Sequence, residues 1–152
     1  MTRKTLILIA AGGSALLMLG ALGFQYIGQM PPCKLCYWQR YPHIAAIAIG
    51  LVALWLPGRL LPGAGALAAL TTAGIGFYHT GVERKWWLGP ESCSSQPITG
   101  LSTDDLLSQI MTAPVVRCDE PPFVLLGLSM ASWNVVASML LALIWLQALR
   151  KS

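Results

Sequence analysis

The chain has 152 residues, 55% of them hydrophobic and only 11% charged, with a formal net charge of +4. A soluble domain carries roughly 25% charged residues, so this composition excludes a soluble enzyme and a disordered tail. The basic residues stand singly or in pairs rather than in a phosphate-tracking patch, which excludes nucleic acid as a partner.

Four stretches lack Asp, Glu, Lys and Arg altogether: 5–33, 41–58, 60–82 and 121–149. The shortest holds 18 residues, about 27 Å of helix at ~1.5 Å per residue, close to the ~30 Å hydrocarbon core of a bilayer. The expectation is an all-α membrane protein: one domain, a four-transmembrane-helix bundle. The spans are placed at about 5–28, 41–57, 62–82 and 122–147, with one long loop over about 83–121.

Arg3 and Lys4 open the first span. Its apolar stretch from Leu6 to Phe24 exceeds the 7–15 residues of a signal peptide, and no Ala-x-Ala site follows, so a retained helix is expected. Small residues recur at helical intervals, Ala11 with Ala15, Ala46 with Gly50 and Ala69 with Ala73, as close helix contact in lipid requires. Between the first two spans lies Cys33-Lys34-Leu35-Cys36-Tyr37-Trp38-Gln39-Arg40. Only the short stretch 41–58 separates Arg40 from Arg59, so both belong near the two interfaces, and the Cys-x-x-Cys lies at the membrane surface. If the chain is helical there, Cys36 and Arg40 share a face, and the guanidinium and the helix N-terminus both favour a thiolate. Arg40 has an alternative reading as a snorkelling anchor. Pro42 implies either a kink or a regular helix that starts near Tyr41.

Pro57-Gly58 and Pro62-Gly63 bracket a short turn that makes the second and third spans antiparallel neighbours. His79 and Glu83 lie one turn apart at the outer end of the third span. They can help deliver protons, or simply satisfy one another. His43, beside Pro42, can line the same site or serve packing. Trp38, Trp86 and Trp87 fall where interfacial aromatic anchors belong.

The 83–121 loop is too long for a connector. It holds all six acidic residues, Cys93 and Cys118. Within it, 102–111 reads as a capped amphipathic helix: Ser102 or Thr103 caps it, Asp104 and Asp105 face the dipole, and Pro114 ends it. Its stripe of Leu106, Leu107, Ile110 and Met111 either lies flat on the membrane or packs down on the bundle. One face of the membrane carries Arg3, Lys4, Arg59, Arg150 and Lys151 in very short segments, so both termini are placed in the cytoplasm.

All four cysteines thus fall on the face opposite the termini, with three possible disulfide connectivities. Zinc is disfavoured, because Cys93 and Cys118 are far apart and neither His43 nor His79 is close to them in sequence; no metal is expected. A static structural role is disfavoured by the tight Cys-x-x-Cys ring, a poor staple. Geography places the loop pair in water, within reach of a soluble protein, and the other pair at the bilayer, within reach of a lipid-dissolved acceptor. Two pairs in relay can pass two electrons between them by thiolate–disulfide exchange.

The Cys33–Arg40 motif, the four-span layout and the two-cysteine loop resemble the DsbB family of bacterial inner-membrane disulfide-bond formation proteins. The resemblance covers essentially the whole chain. It implies a thiol oxidase that reoxidises a periplasmic DsbA-like thioredoxin-fold protein and passes electrons to the membrane quinone pool, ubiquinone or menaquinone. On that resemblance Cys93 forms the mixed disulfide with the oxidase, and Cys118 is its loop partner. Cys33 exchanges with the loop pair, Cys36 faces the quinone as thiolate, and Arg40 sits beside the quinone. A paralogue serving a dedicated client and a non-enzymatic scaffold with a disulfide-stabilised loop are the alternatives. A vitamin-K-epoxide-reductase-like protein ranks lower, since its Cys-x-x-Cys belongs near the end of the bundle.

Overall fold

The computed structural model describes residues 1–90, 93, 102–112 and 116–152. In chain order the elements are α1 (Arg3–Tyr26), α2 (Lys34–Trp55), α3 (Leu60–Glu83), α4 (Thr103–Thr112), β1 (Val124–Leu125), β2 (Leu128–Ser129) and α5 (Met130–Arg150). Three of them, α1, α3 and α5, are long and apolar enough to cross a membrane. The fourth long helix, α2, carries Lys34, Arg40, Pro42 and His43 in its first three turns.

Cross-helix contacts define the topology. Arg40 of α2 meets Gln25 of α1 at one end, while Arg3 of α1 bonds the Ala53 carbonyl of α2 at the other. Gly76 of α3 lies against Val135 and the Ala131 carbonyl, and Gly65 against the Trp145 ring of α5. Neighbours therefore run antiparallel, an up-down-up-down bundle. Small residues set the close approaches. A Cβ on Gly50 would collide with Ala11, and one on Gly65 with Trp145, so glycine there lets the backbones meet without a side chain between them.

At the end holding both termini the core is apolar: Leu6, Ile7, Ala10, Ala53, Ala66, Ala69, Leu141, Ala142, Trp145 and Ala148 pack together. Arg3 closes this end, donating also to the Leu56 and Gly58 carbonyls and to the Ser152 hydroxyl. At the other end a smaller cluster gathers Cys33, Leu35, Val82, Cys93 and Cys118.

Three points of the sequence reading are refined. Of the two alternatives left open at Pro42, the second helix does not take the start near Tyr41. It begins at Lys34 with Cys33 as N-cap, and Pro42 is inside it. Proline lacks the amide that would bond the Trp38 carbonyl one turn back, and the next carbonyl, that of Gln39, accepts from the Thr72 hydroxyl at 3.0 Å. The chain is not wholly α, and the last long helix starts at Met130 rather than near 122. A two-residue hairpin precedes it, with Val124 opposite Ser129 and Leu125 opposite Leu128. Its turn residues Leu126 and Gly127 both have positive φ, 53° and 77°, the conformation that right-twisted strands favour in a tight hairpin. Ser129 then caps α5 by accepting from the Ser132 amide. A short helix, α4, occupies the segment read as a capped helix. Ser102 accepts from the Asp105 amide and donates to the Asp105 carboxylate at 2.6 Å. Pro114, its expected stop, lies outside the described residues, as do Glu91 and Ser92 beside Cys93.

Candidate active site

The N-terminus of α2 builds the first half of the site. With Cys33 as N-cap, its sulfur accepts from the Cys36 amide at 3.2 Å. An N-cap takes up one of the free amides of a helix start, so the helix itself positions a sulfur at the positive end of its dipole. Cys36 follows one turn on, half-buried, with its Sγ 2.8 Å from that of Cys33 and no bond between them.

The second half comes from the long loop. Cys93 and Cys118 are joined in a disulfide with their Cα atoms 5.3 Å apart, and the Cys118 amide donates to the Cys93 carbonyl. Both are 1% exposed. This corrects the expectation that the loop pair stands in water: it is folded onto the bundle end over Val82 and Leu35. Two contacts hold Cys118 there. His79 Nε2 lies 3.1 Å from the Cys118 carbonyl. The neighbouring Asp119 is gripped by Arg117, through Nε at 3.1 Å and an Nη at 2.9 Å, and by Lys85 Nζ at 2.7 Å. The Arg117 guanidinium first, and the Lys85 ammonium with it, hold the Asp119 carboxyl well below the usual carboxylate range.

The two halves meet at His79. Cys33 Sγ, Cys118 Sγ and a His79 ring nitrogen all lie within 4.8 Å of one another, with Cys33 Sγ at 3.7 Å from His79 Nε2. The histidine that is distant from Cys93 and Cys118 in sequence is thus their neighbour in space. Three such groups also suggest a metal site, but Cys118 is committed to a disulfide, and the other His79 nitrogen faces an amide donor. A metal-bound imidazole instead needs an acceptor on its second nitrogen.

Glu83 lies one turn beyond His79, its Oε1 3.7 Å from Nε2 and both side chains buried. Its other oxygen accepts from the Ser129 hydroxyl. Glu83, Arg84, Pro121, Val124, Gly127, Ser129 and Ser132 line a cavity of about 360 Å³. Neither Cys36 nor Arg40 lines it. Arg40 is on the other side of α2's first turns, donating to Gln25 Oε1 at 2.6 Å and to the Ala21 carbonyl at 3.4 Å, with its guanidinium 5.2 Å over the Tyr37 ring. Tyr37 and Trp38 are exposed. His43 is placed deeper, bonded to Asn134 Oδ1 at 2.9 Å and away from the sulfurs.

Sequence reasoning missed Gln25, Gln39, Thr72 and Asn134. Their signal was present: a polar residue inside an apolar helix is costly unless paired.

A family model for the disulfide bond formation protein DsbB matches residues 3–148 of this chain. A Disulfide bond formation protein B of Herminiimonas arsenicoxydans is 31% identical over 163 residues, covering 97% of this chain and 96% of that protein. One of Alkalilimnicola ehrlichii is 33% identical over 143 residues, covering 88% and 85%. Another, of Shewanella sp. (strain MR-4), is 31% identical over 136 residues, covering 86% and 77%.

Proposed function

This chain belongs to the DsbB family of disulfide bond formation proteins, and we propose that it is a protein-dithiol:quinone oxidoreductase. In this reading it reoxidises a periplasmic DsbA-like thioredoxin-fold oxidase. It lies in a bacterial inner membrane with both termini cytoplasmic, α2 as the fourth span, and the loop carrying α4 in the periplasm. The observation that carries the reading is the approach of Cys33 Sγ to Cys118 Sγ within 4.8 Å, which puts two cysteine pairs within reach of one exchange.

Four thiolate–disulfide exchanges carry the two electrons. A client thiolate attacks Cys93 Sγ, the Cys93–Cys118 bond breaks, and Cys118 leaves as thiolate. The client's second thiol displaces Cys93 and closes the client disulfide. Cys118 then attacks Cys33 of a Cys33–Cys36 disulfide, and Cys36 leaves as thiolate. Finally Cys93 displaces Cys33, restoring the loop disulfide and leaving two electrons on Cys33 and Cys36. Each step is an in-line thiolate–disulfide exchange.

Quinone, when bound, accepts two electrons and two protons. The residues around Cys36 suit such a ring: a thiol, the exposed faces of Tyr37 and Trp38, and a cation at Arg40. Among the described residues Gln25 and Ala21 fix Arg40 through two of its five N–H donors, so others remain there for a carbonyl oxygen. In this reading Glu83, on the cavity wall, exchanges protons with water, and His79 stands between it and the sulfurs.

The test uses the purified chain in detergent. A reduced DsbA-like protein should drive quinone reduction, and Cys36→Ser should abolish it. If both cysteine pairs stay oxidised throughout turnover, the relay is wrong. The burial of Cys93–Cys118 favours a second reading, a static bridge in a tetraspan scaffold. That reading predicts cysteines that resist mild reductant and no quinone in the preparation.

A further inference from the structure

A chain of buried polar side chains runs from the sulfur cluster into the bundle, and its direction can be read without ambiguity. Gln39 Nε2 lies 3.2 Å from the Leu35 carbonyl and 2.9 Å from His79 Nδ1. A carbonyl accepts only, so the Gln39 atom facing it is the amide nitrogen. The same nitrogen therefore donates to His79 Nδ1.

An independent anchor gives the same answer from the other end. Thr72 spends its one hydroxyl proton on the Gln39 carbonyl. It must then accept from Asn134 at 3.1 Å, which makes that Asn134 atom the nitrogen. The same nitrogen donates to Gln39 Oε1 at 2.8 Å, leaving Gln39 Nε2 for the histidine. A Cβ on Gly76 would press on Gln39 Oε1, so the glycine preserves the room this arrangement needs.

We infer that Gln39 is a positioning residue that holds His79 as the neutral Nε2–H tautomer, aiming a hydrogen-bond donor at the point where Cys33 and Cys118 exchange. The Nε2–H group faces the Cys118 carbonyl at 3.1 Å, Cys33 Sγ at 3.7 Å and Glu83 Oε1 at 3.7 Å. In the step where the Cys33–Cys36 bond breaks and Cys33–Cys118 forms, negative charge passes from Cys118 through Cys33 to Cys36. A fixed N–H beside the central sulfur stabilises that charge. Nδ1 cannot take up a proton while an amide N–H points at it. His79 therefore acts as a donor and not as a base, and of this pair Glu83 keeps the proton-exchanging role. The role in exchange rests on the function proposed above; the tautomer does not.

The experiment labels the histidines with 15N in the full chain in detergent and reads the long-range ring correlations near neutral pH, with His79→Gln assigning the signals. Wild type should show His79 protonated on Nε2 and bare on Nδ1. Gln39→Glu, whose carboxylate accepts, should move a proton onto Nδ1. It should also slow client-driven turnover at least tenfold in protein that remains folded. Gln39→Met, which removes the donor, should give a mixture of tautomers. A wild-type ring protonated on Nδ1, or a ring unchanged in both variants, overturns the inference. An altered ring with unchanged turnover overturns the positioning role and leaves the thiol-oxidase reading intact. Wild-type protein that shows the Nε2–H ring yet never turns over defeats that reading and leaves the tautomer standing.

Discussion

The two ends of the bundle are built in opposite ways. Near the termini, alanine and glycine alternate with Leu6, Ile7, Leu141 and Trp145, and specificity comes from shape. Near the cysteines, Gln39, His43, Thr72, His79, Glu83 and Asn134 are linked by directional bonds, and specificity comes from which atom donates. A shape-built end tolerates motion poorly but holds no chemistry. A bond-built end fixes protons and sulfurs, at the risk that one missing partner leaves several groups unpaired.

Breaking each end should therefore give different losses. Trp145→Ala empties a site with 0% exposure, and truncating a buried Trp costs about 3–5 kcal/mol. Thermal unfolding in detergent should show the largest drop of any variant here, while turnover per folded molecule is unchanged. Asn134→Leu strands the Gln39 oxygen and leaves His43 Nε2 only the Ser138 hydroxyl at 3.5 Å, a loss of about 1–3 kcal/mol. It should lower stability less than Trp145→Ala yet cut turnover per folded molecule. Equal turnover losses at the two ends would erase the contrast.

Asp119→Asn sharpens the comparison within the polar end. The Arg117 and Lys85 contacts hold the Asp119 carboxyl below its usual range, so the clamp contributes fully above the unfolded value of about 3.9 and is lost as pH falls toward the folded value. Lys85 is largely exposed, which limits the gain to about 1 kcal/mol or less. At pH 7 a phosphine should reduce Cys93–Cys118 of the variant up to about fivefold faster than in wild type. The gap should narrow as pH is taken below about 4. A gap that widens in acid would contradict the clamp.

Much of this was legible in the chain. Gaps between charges located the long helices, because charged side chains are too costly to leave in lipid. Ser102 and the aspartates marked α4 through ordinary capping chemistry. What stayed hidden was tertiary. Pro42 left a kink or a start near Tyr41 equally open, and only the capture of the Cys36 amide by Cys33 shows that the helix begins a full two turns before Tyr41. The hairpin before α5 has two residues per strand, too few for alternation, and only Leu126-Gly127 hinted at a turn. Nothing local joins Gln39 to Asn134 or His79 to Cys118. Likewise the burial of Cys93 and Cys118 came from their packing on Val82 and Leu35, which a polar loop sequence does not announce.

The proposed relay turns on direct exchange between Cys33 and Cys118. Removing their partners in a Cys36→Ser, Cys93→Ser double variant leaves these two sulfurs alone. Under mild oxidation, peptide mapping by mass spectrometry should find an intramolecular Cys33–Cys118 disulfide in most of the monomeric protein. Two free thiols, or disulfides only between molecules, would contradict the relay.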